Sequence, residues 1–394
     1  MKKKLLFIAT HPNLTTGYAY VGNKVSNYLA KYFEVHYFGF QYDKSISTER
    51  YIDENIILYD AKQMDTISPA GFGDLALIDL VKHVSFDYIL IYNDVKVILT
   101  CHHHLGSIKG DAKMIAYLDI VYPYEKTEII NELNEKYDKV ITFTKFWKEH
   151  LRDVYKINEN KLFTLYHGIE EPVILNQDEC KLKIGLKTTD FLIVNLNRNS
   201  CRKQLGICVS GYLRFLKNEA DRNKYKLWVN KPVGEYDVFS IVKTECLILD
   251  MNPNQILAKN FLFSSRPNGL SDDEVNMLNN ASDIIINTSS AEGFGLVALQ
   301  GIVLGKKILI TELPIYYELY QTLVYYLKIK MKKQVLADQR VAGVEFLTCA
   351  SEVAYKLKLL KDKKDVNPKS VRRITNKFLW KNVLTEDLIR FIEN

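Results

Sequence analysis

The stretch 283–311, reading DIIINTSSAEGFGLVALQGIVLGKKILIT, limits the possible folds of this chain more than any other segment. An apolar run, Ile284-Ile285-Ile286, ends in small polar residues. Glu292 follows, then Gly293-Phe294-Gly295, then an apolar segment of helix length that stops at Gly305. A second apolar run, Ile308-Leu309-Ile310, closes the unit. The order strand, glycine turn, helix, strand sets backbone N–H groups and a helix N-terminus at the carboxyl end of a parallel strand, where anions bind. Glycine allows close backbone approach and positive φ. Glu292 stands at that mouth, where it can face a group attached to a phosphate. An acid at a helix start is also an ordinary cap.

The same alternation runs through all 394 residues. Strand candidates in the first half are 5–9, 35–40, 56–59, 88–92, 114–118, 140–143 and 162–165. In the second half they are 191–196, 226–229, 261–263, 284–287, 308–311 and 344–347. Short apolar runs bounded by polar turns and separated by helix-length stretches indicate parallel sheets. Two such sets imply two doubly wound α/β domains. The expected boundaries are 1–172, 173–374 and a C-terminal helix at 375–394, with the junction after His167-Gly168-Ile169-Glu170.

A net charge of +6 is modest for this length and gives no argument for nucleic acid. It is compatible with an anionic substrate or a peripheral contact with lipid headgroups. The six cysteines are scattered and form no C-x-x-C, the pattern of free thiols in a reducing compartment. The start, MKKKLLFIATHPN, has too short an apolar run for a signal peptide and reads as a first strand. No segment reaches the ~18 apolar residues that a membrane span needs. A cytoplasmic protein is expected.

Four further segments bear on chemistry. Asn197-Arg198-Asn199-Ser200-Cys201-Arg202-Lys203 follows the strand at 191–196. Three cations at a strand's carboxyl end can clamp two phosphates or lie as a solvated loop. Thr15-Thr16-Gly17-Tyr18 follows the first strand and resembles a phosphate turn without being G-x-G-x-x-G. Asp119 follows another strand amid aromatic neighbours and could serve a sugar hydroxyl or cap a turn. His102-His103-His104 share no helix face and have no accompanying acid or cysteine at metal-ligand spacing, so no metal site is assigned. The basic, aromatic stretch 146–156 could touch a membrane surface, but reads first as an ordinary exposed helix.

Taken together these residues resemble a retaining glycosyltransferase of family GT4, whose GT-B fold sets two Rossmann-like domains facing across a cleft. The resemblance covers nearly the whole chain. Ser290-Ala291-Glu292-Gly293-Phe294-Gly295-Leu296 with Gly305 is similar to the family's E-G-F-G helix motif. Asn197-Arg198 with Lys203 is similar to its Arg…Lys diphosphate clamp, His167-Gly168-Ile169-Glu170 to its domain junction, and Trp380 to the tryptophan of its C-terminal helix. The runs 91–94, 117–121 and 196–203 are especially similar to a family member encoded by a chlorella virus, which implies a viral origin and the host cytoplasm.

The resemblance implies a hexosyltransferase that uses a nucleotide-diphospho-sugar, GDP-mannose first and a UDP-sugar second, and a glycan or other hydroxyl acceptor. No metal and no other cofactor is implied, and the oligomeric state is left open. Arg198 and Lys203, with Arg202, would neutralise the leaving diphosphate. Glu292 would contact the donor sugar. The amides of Gly293, Phe294, Gly295, Leu296 and Val297 would hold sugar and phosphate, and Gly17 would lie beneath the diphosphate. Asp119 takes the place of a family histidine near the transferred sugar. The base would lie near Ser264, Arg266 and Leu270. Where the family has a second glutamate for the ribose, this chain has Gln300, which keeps a hydrogen bond and loses its charge. The alternatives are a degenerate GT-B protein that binds nucleotide or glycan without catalysis, and a nicotinamide-dependent oxidoreductase. The missing G-x-G-x-x-G speaks against the latter.

Overall fold

The computed structural model describes residues 2–394 apart from 69–70, 265–268, 339–340 and 364–365. The chain forms two compact units. The first comprises Met1–Gly168, Val335–Gly343 and Phe378–Asn394, and the second Ile169–Gln334 and Val344–Lys377.

In the first unit, β1 (Lys4–Thr10), β2 (Glu34–Phe40), β3 (Ile56–Asp60), β4 (Tyr88–Asp94), β5 (Lys113–Asp119), β6 (Lys139–Thr142) and β7 (Leu162–Thr164) make one parallel sheet. Its order is β3-β2-β1-β4-β5-β6-β7, so the winding reverses between β1 and β4. Leu5, Leu6, Phe7, Ile8, Ile89, Leu90 and Ile91 are fully buried, as continuous apolar strands of a sheet covered on both faces should be. The C-terminal residues complete this unit. Trp380 lies so close over Gly168 that a Cβ there would come within 2.5 Å of its ring, and its indole N–H donates to the Tyr20 hydroxyl at 3.1 Å.

In the second unit, β8 (Phe191–Asn195), β9 (Tyr225–Val229), β10 (Phe261–Phe263), β11 (Ile284–Asn287), β12 (Lys307–Thr311) and β13 (Tyr325–Leu327) form a parallel sheet of order β10-β9-β8-β11-β12-β13. Here the winding reverses between β8 and β11. One apolar layer joins Ile193, Leu227, Ile284, Ile286 and Leu309 to Tyr212, Leu213, Val353 and Leu357 of the covering helices.

One strand assignment needs correction. Residues 344–347, expected in the parallel sheet, lie in β15 (Val341–Leu347), which pairs with β14 (Met331–Asp338) as a separate two-stranded sheet. The sixth place belongs to β13. The apolar run Leu323-Val324-Tyr325-Tyr326-Leu327, which ends in β13, was passed over in the sequence, and a ribbon strand and a buried edge strand look alike there.

Candidate functional site

The reversal between β8 and β11 leaves a crevice beyond the carboxyl ends of two adjacent strands, the place where open α/β sheets hold ligands. Both segments singled out in the second half of the sequence arrive there. β8 runs into the loop that carries Asn197, Arg198, Arg202 and Lys203, and β11 runs into the turn that carries Glu292.

Glu292 is only 7% exposed. Its Oε1 accepts from the Lys203 ammonium, and its Oε2 pairs with Arg202 Nη1 at 3.0 Å. Arg202 also donates to the carbonyl of Ala291. Burial pushes the Glu292 carboxyl up, but Lys203 and then Arg202 outweigh it and hold the group at about 2. Glu292 is therefore a carboxylate at neutral pH, charged because two cations stand beside it.

Backbone bonds fix the two loops to each other. Ser290 N–H donates to the Arg202 carbonyl at 2.8 Å, and the Thr288 hydroxyl donates to the carbonyls of Lys203 and Gln204 at 3.0 Å each. Beneath them a buried amide relay runs from Asn197 Nδ2 to Asn287 Oδ1 at 3.1 Å and from Asn287 Nδ2 to Glu292 Oε1 at 3.3 Å.

Gly295 starts the helix Leu296–Val303 with φ +89°, and no side chain caps that end. A Cβ on Gly295 would lie 2.7 Å from the ring and hydroxyl of Tyr316. The Tyr320 hydroxyl donates to the Gly295 carbonyl at 3.1 Å. The second glycine of the motif is thus required twice, by its backbone and by its neighbour. The helix N-terminus it opens follows three residues after Glu292, the partner of Arg202 and Lys203.

Of the residues expected from sequence, Glu292, Arg202, Lys203 and Gly295 come together in direct contact or through shared partners. Gly293 and Phe294 are buried in the turn, and Leu296, Val297 and Gln300 are half-buried on the helix. Arg198 is exposed, and the Glu235 carboxyl is held low by hydrogen bonds from Cys201 and, less, by the Arg198 charge. Ser264 directly follows β10, and Leu270 packs against the apolar cluster that includes Leu192, Val194 and Leu278. Arg266 lies outside the described residues.

In the first unit, Gly17 starts the helix Gly17–Leu29, capped by the Thr16 hydroxyl, which accepts from Ala19 N–H. Asp119 closes β5, in register with Asp94 at the end of β4. Its carboxylate accepts a hydrogen bond from the half-buried Tyr18 phenol, a partner that sequence reading had no means of naming. Burial, then Asp119 and Asp94, raise the Tyr18 pKa well above 10, so Tyr18 stays a donor.

The three consecutive histidines go separate ways. His103 lies 3.4 Å from Glu132, His104 lies 3.7 Å from Asp74, and His102 approaches the ring of Tyr137. Among the described residues, no group of His, Cys, Asp and Glu has the arrangement of a metal site, and no helix is long and apolar enough to cross a membrane. The helix Lys145–Tyr155 buries Trp147, His150, Leu151 and Tyr155.

The fold belongs to the GT-B type found in nucleotide-sugar glycosyltransferases. A glycosyltransferase from Rickettsia africae superposes with a TM-score of 0.68 at 16% identity, covering 99% of this chain and 98% of its own. Anabaena HepE, solved with UDP and glucose, gives 0.68 at 13% identity over 98% of each chain. The sucrose-phosphate synthase of Thermosynechococcus elongatus gives 0.67 at 13%, covering 97% of this chain and 96% of its own. No family model and no curated protein sequence matches the chain.

Sequence reading missed Asn287, Tyr316 and Tyr320. Asn287 was within reach of inference as the polar end of an apolar strand. The two tyrosines come from a later helix turn and carry no local signal.

Proposed function

We propose that the chain is a retaining glycosyltransferase that moves a hexose from a nucleotide-diphospho-sugar to a hydroxyl acceptor. The observation that carries this reading is the buried Glu292 carboxylate held between Arg202 and Lys203, at the switch point of a nucleotide-binding type of sheet. A buried carboxylate suits a neutral polyol, which donates hydrogen bonds to it. The adjacent cations suit a diphosphate. The two needs meet where a sugar is joined to its phosphate.

In this reading the diphosphate rests on Lys203, Arg202 and the helix N-terminus at Gly295, with Arg198 closing on it from the exposed side of the loop. Glu292 accepts from the sugar hydroxyls. The bond from sugar C1 to the phosphate oxygen breaks, and the electron pair leaves with the diphosphate. Fixed cations and the helix dipole stabilise that charge, so the chemistry is assigned to side chains without a metal. The acceptor oxygen bonds to C1 from the same face and passes its proton to the departing phosphate oxygen. Gln300 takes the ribose with a neutral hydrogen bond.

A UDP-hexose is the first donor to test, because HepE binds UDP and UDP-glucose in its solved structures. GDP-mannose, favoured by the sequence resemblance, is the second. Slow hydrolysis of donor without acceptor tests the enzyme directly. The parent should hydrolyse one donor in EDTA, and Glu292→Ala and Arg198→Ala should each lose about 10²-fold or more. Nucleotide binding with no turnover of any donor would leave the degenerate binder as the correct reading.

A further inference from the structure

We infer that Glu345, on β15, is a positioning residue for this site, acting through Ser290. The inference rests on the glycosyltransferase reading and adds to it a residue that lies outside both sequence motifs.

Ser290 lies two residues before Glu292. Its hydroxyl is 2.8 Å from Glu345 Oε2 and 3.1 Å from the Arg202 carbonyl. Its carbonyl accepts from Phe346 N–H at 2.8 Å, and its own N–H donates to the Arg202 carbonyl at 2.8 Å. Ser290 itself is fully buried, and Glu345 is 9% exposed. Lys333, on β14, lies 3.8 Å from the other carboxylate oxygen.

These bonds have a direction. A hydroxyl has one proton, and a carboxylate competes for it better than a carbonyl does, so Ser290 donates to Glu345. β15 therefore grips Ser290 through a side chain and through the backbone, while Ser290 in turn holds the Arg202 backbone. The cation loop and the Glu292 turn share this one tether. Without Glu345 the hydroxyl turns to the Arg202 carbonyl alone, and the turn keeps only its backbone bond to β15. Arg202 and Lys203 are then less well placed for a diphosphate. Displacements of that kind cost affinity without unfolding the protein.

The test is a double-mutant cycle read by calorimetric titration with UDP and GDP. For whichever nucleotide the parent binds, Glu345→Ala and Ser290→Ala should each weaken binding about tenfold, the scale of one charge-assisted hydrogen bond. The double variant should be no weaker than either alone, because both remove the same link. Glu345→Gln keeps an acceptor and should recover most of the loss. Equal affinities in parent and variants, even with a lowered melting temperature, would make Glu345 merely structural and overturn the inference. Tighter binding in both Glu345→Ala and Glu345→Gln would overturn it too, since that reports only the removal of a negative charge near the phosphates. A parent that binds neither nucleotide would overturn the transferase reading, and this inference with it.

Discussion

A carboxylate taken out of water loses its hydration, and Lys203, Arg202 and Asn287 compensate Glu292 for it. Removing one partner of such a group costs more than the pair itself is worth. Lys203→Ala should therefore destabilise the second unit by about 3 kcal/mol, measured by urea denaturation at neutral pH. Acid should act on the same group. Its folded pKa of about 2 is below the unfolded value of 4.5, so its stabilising contribution is complete above pH 4.5 and is lost as the pH falls through 2. Linkage sets the loss at about 3 kcal/mol. Glu292→Gln should abolish this part of the pH dependence, giving a flatter stability profile between pH 5 and 2 than the parent. Glu292, Arg202 and Lys203 were singled out in sequence because each follows an apolar strand, but their pairing with one another was not legible. Tyr18, Tyr316 and Glu345 were not, because each is an ordinary residue whose importance comes only from what it touches.

At the scale of elements, the turn and helix after β11 show why two glycines of one motif are unequal. Gly295 and Gly305 both have positive φ, at +89° and +75°. A Cβ at Gly305 meets nothing within 4 Å, whereas one at Gly295 meets Tyr316 at 2.7 Å. Gly305→Ala should cost about 1 kcal/mol, the backbone term alone. Gly295→Ala adds a clash in a packed interior and should cost about 3 kcal/mol, with nucleotide binding lost as the helix N-terminus shifts. Denaturation midpoints of the two variants, taken side by side, check the difference. The strands with four or more consecutive apolar residues were all legible. β13 and β14 were not read, and 344–347 was read as a strand but placed in the wrong sheet, since pairing partner is decided by tertiary contacts rather than by local pattern. That gap mattered, because β15 carries Glu345.

On the scale of the whole chain, two parallel sheets follow from a repeated local rule, which is why the fold class could be read without a structure. Pairing order is another matter. The reversal between β8 and β11 is invisible in sequence, yet it places the Glu292 turn beside the cation loop. A ligand at that reversal binds only the folded second unit, so it must raise that unit's stability by mass action. At a hundred times its dissociation constant the gain is about 2.7 kcal/mol. For a unit of about 200 residues, each kcal/mol moves the midpoint by roughly 2–4 °C. UDP or GDP should therefore raise the melting temperature by about 5–10 °C in a thermal-shift scan, and NAD should leave it unchanged. The shift should shrink sharply in Lys203→Ala, which removes the proposed phosphate contact, when each protein is compared with its own ligand-free midpoint. Stabilisation by NAD alone would remove the diphosphate-sugar reading and restore the oxidoreductase, because both ligands would compete for the same strand ends.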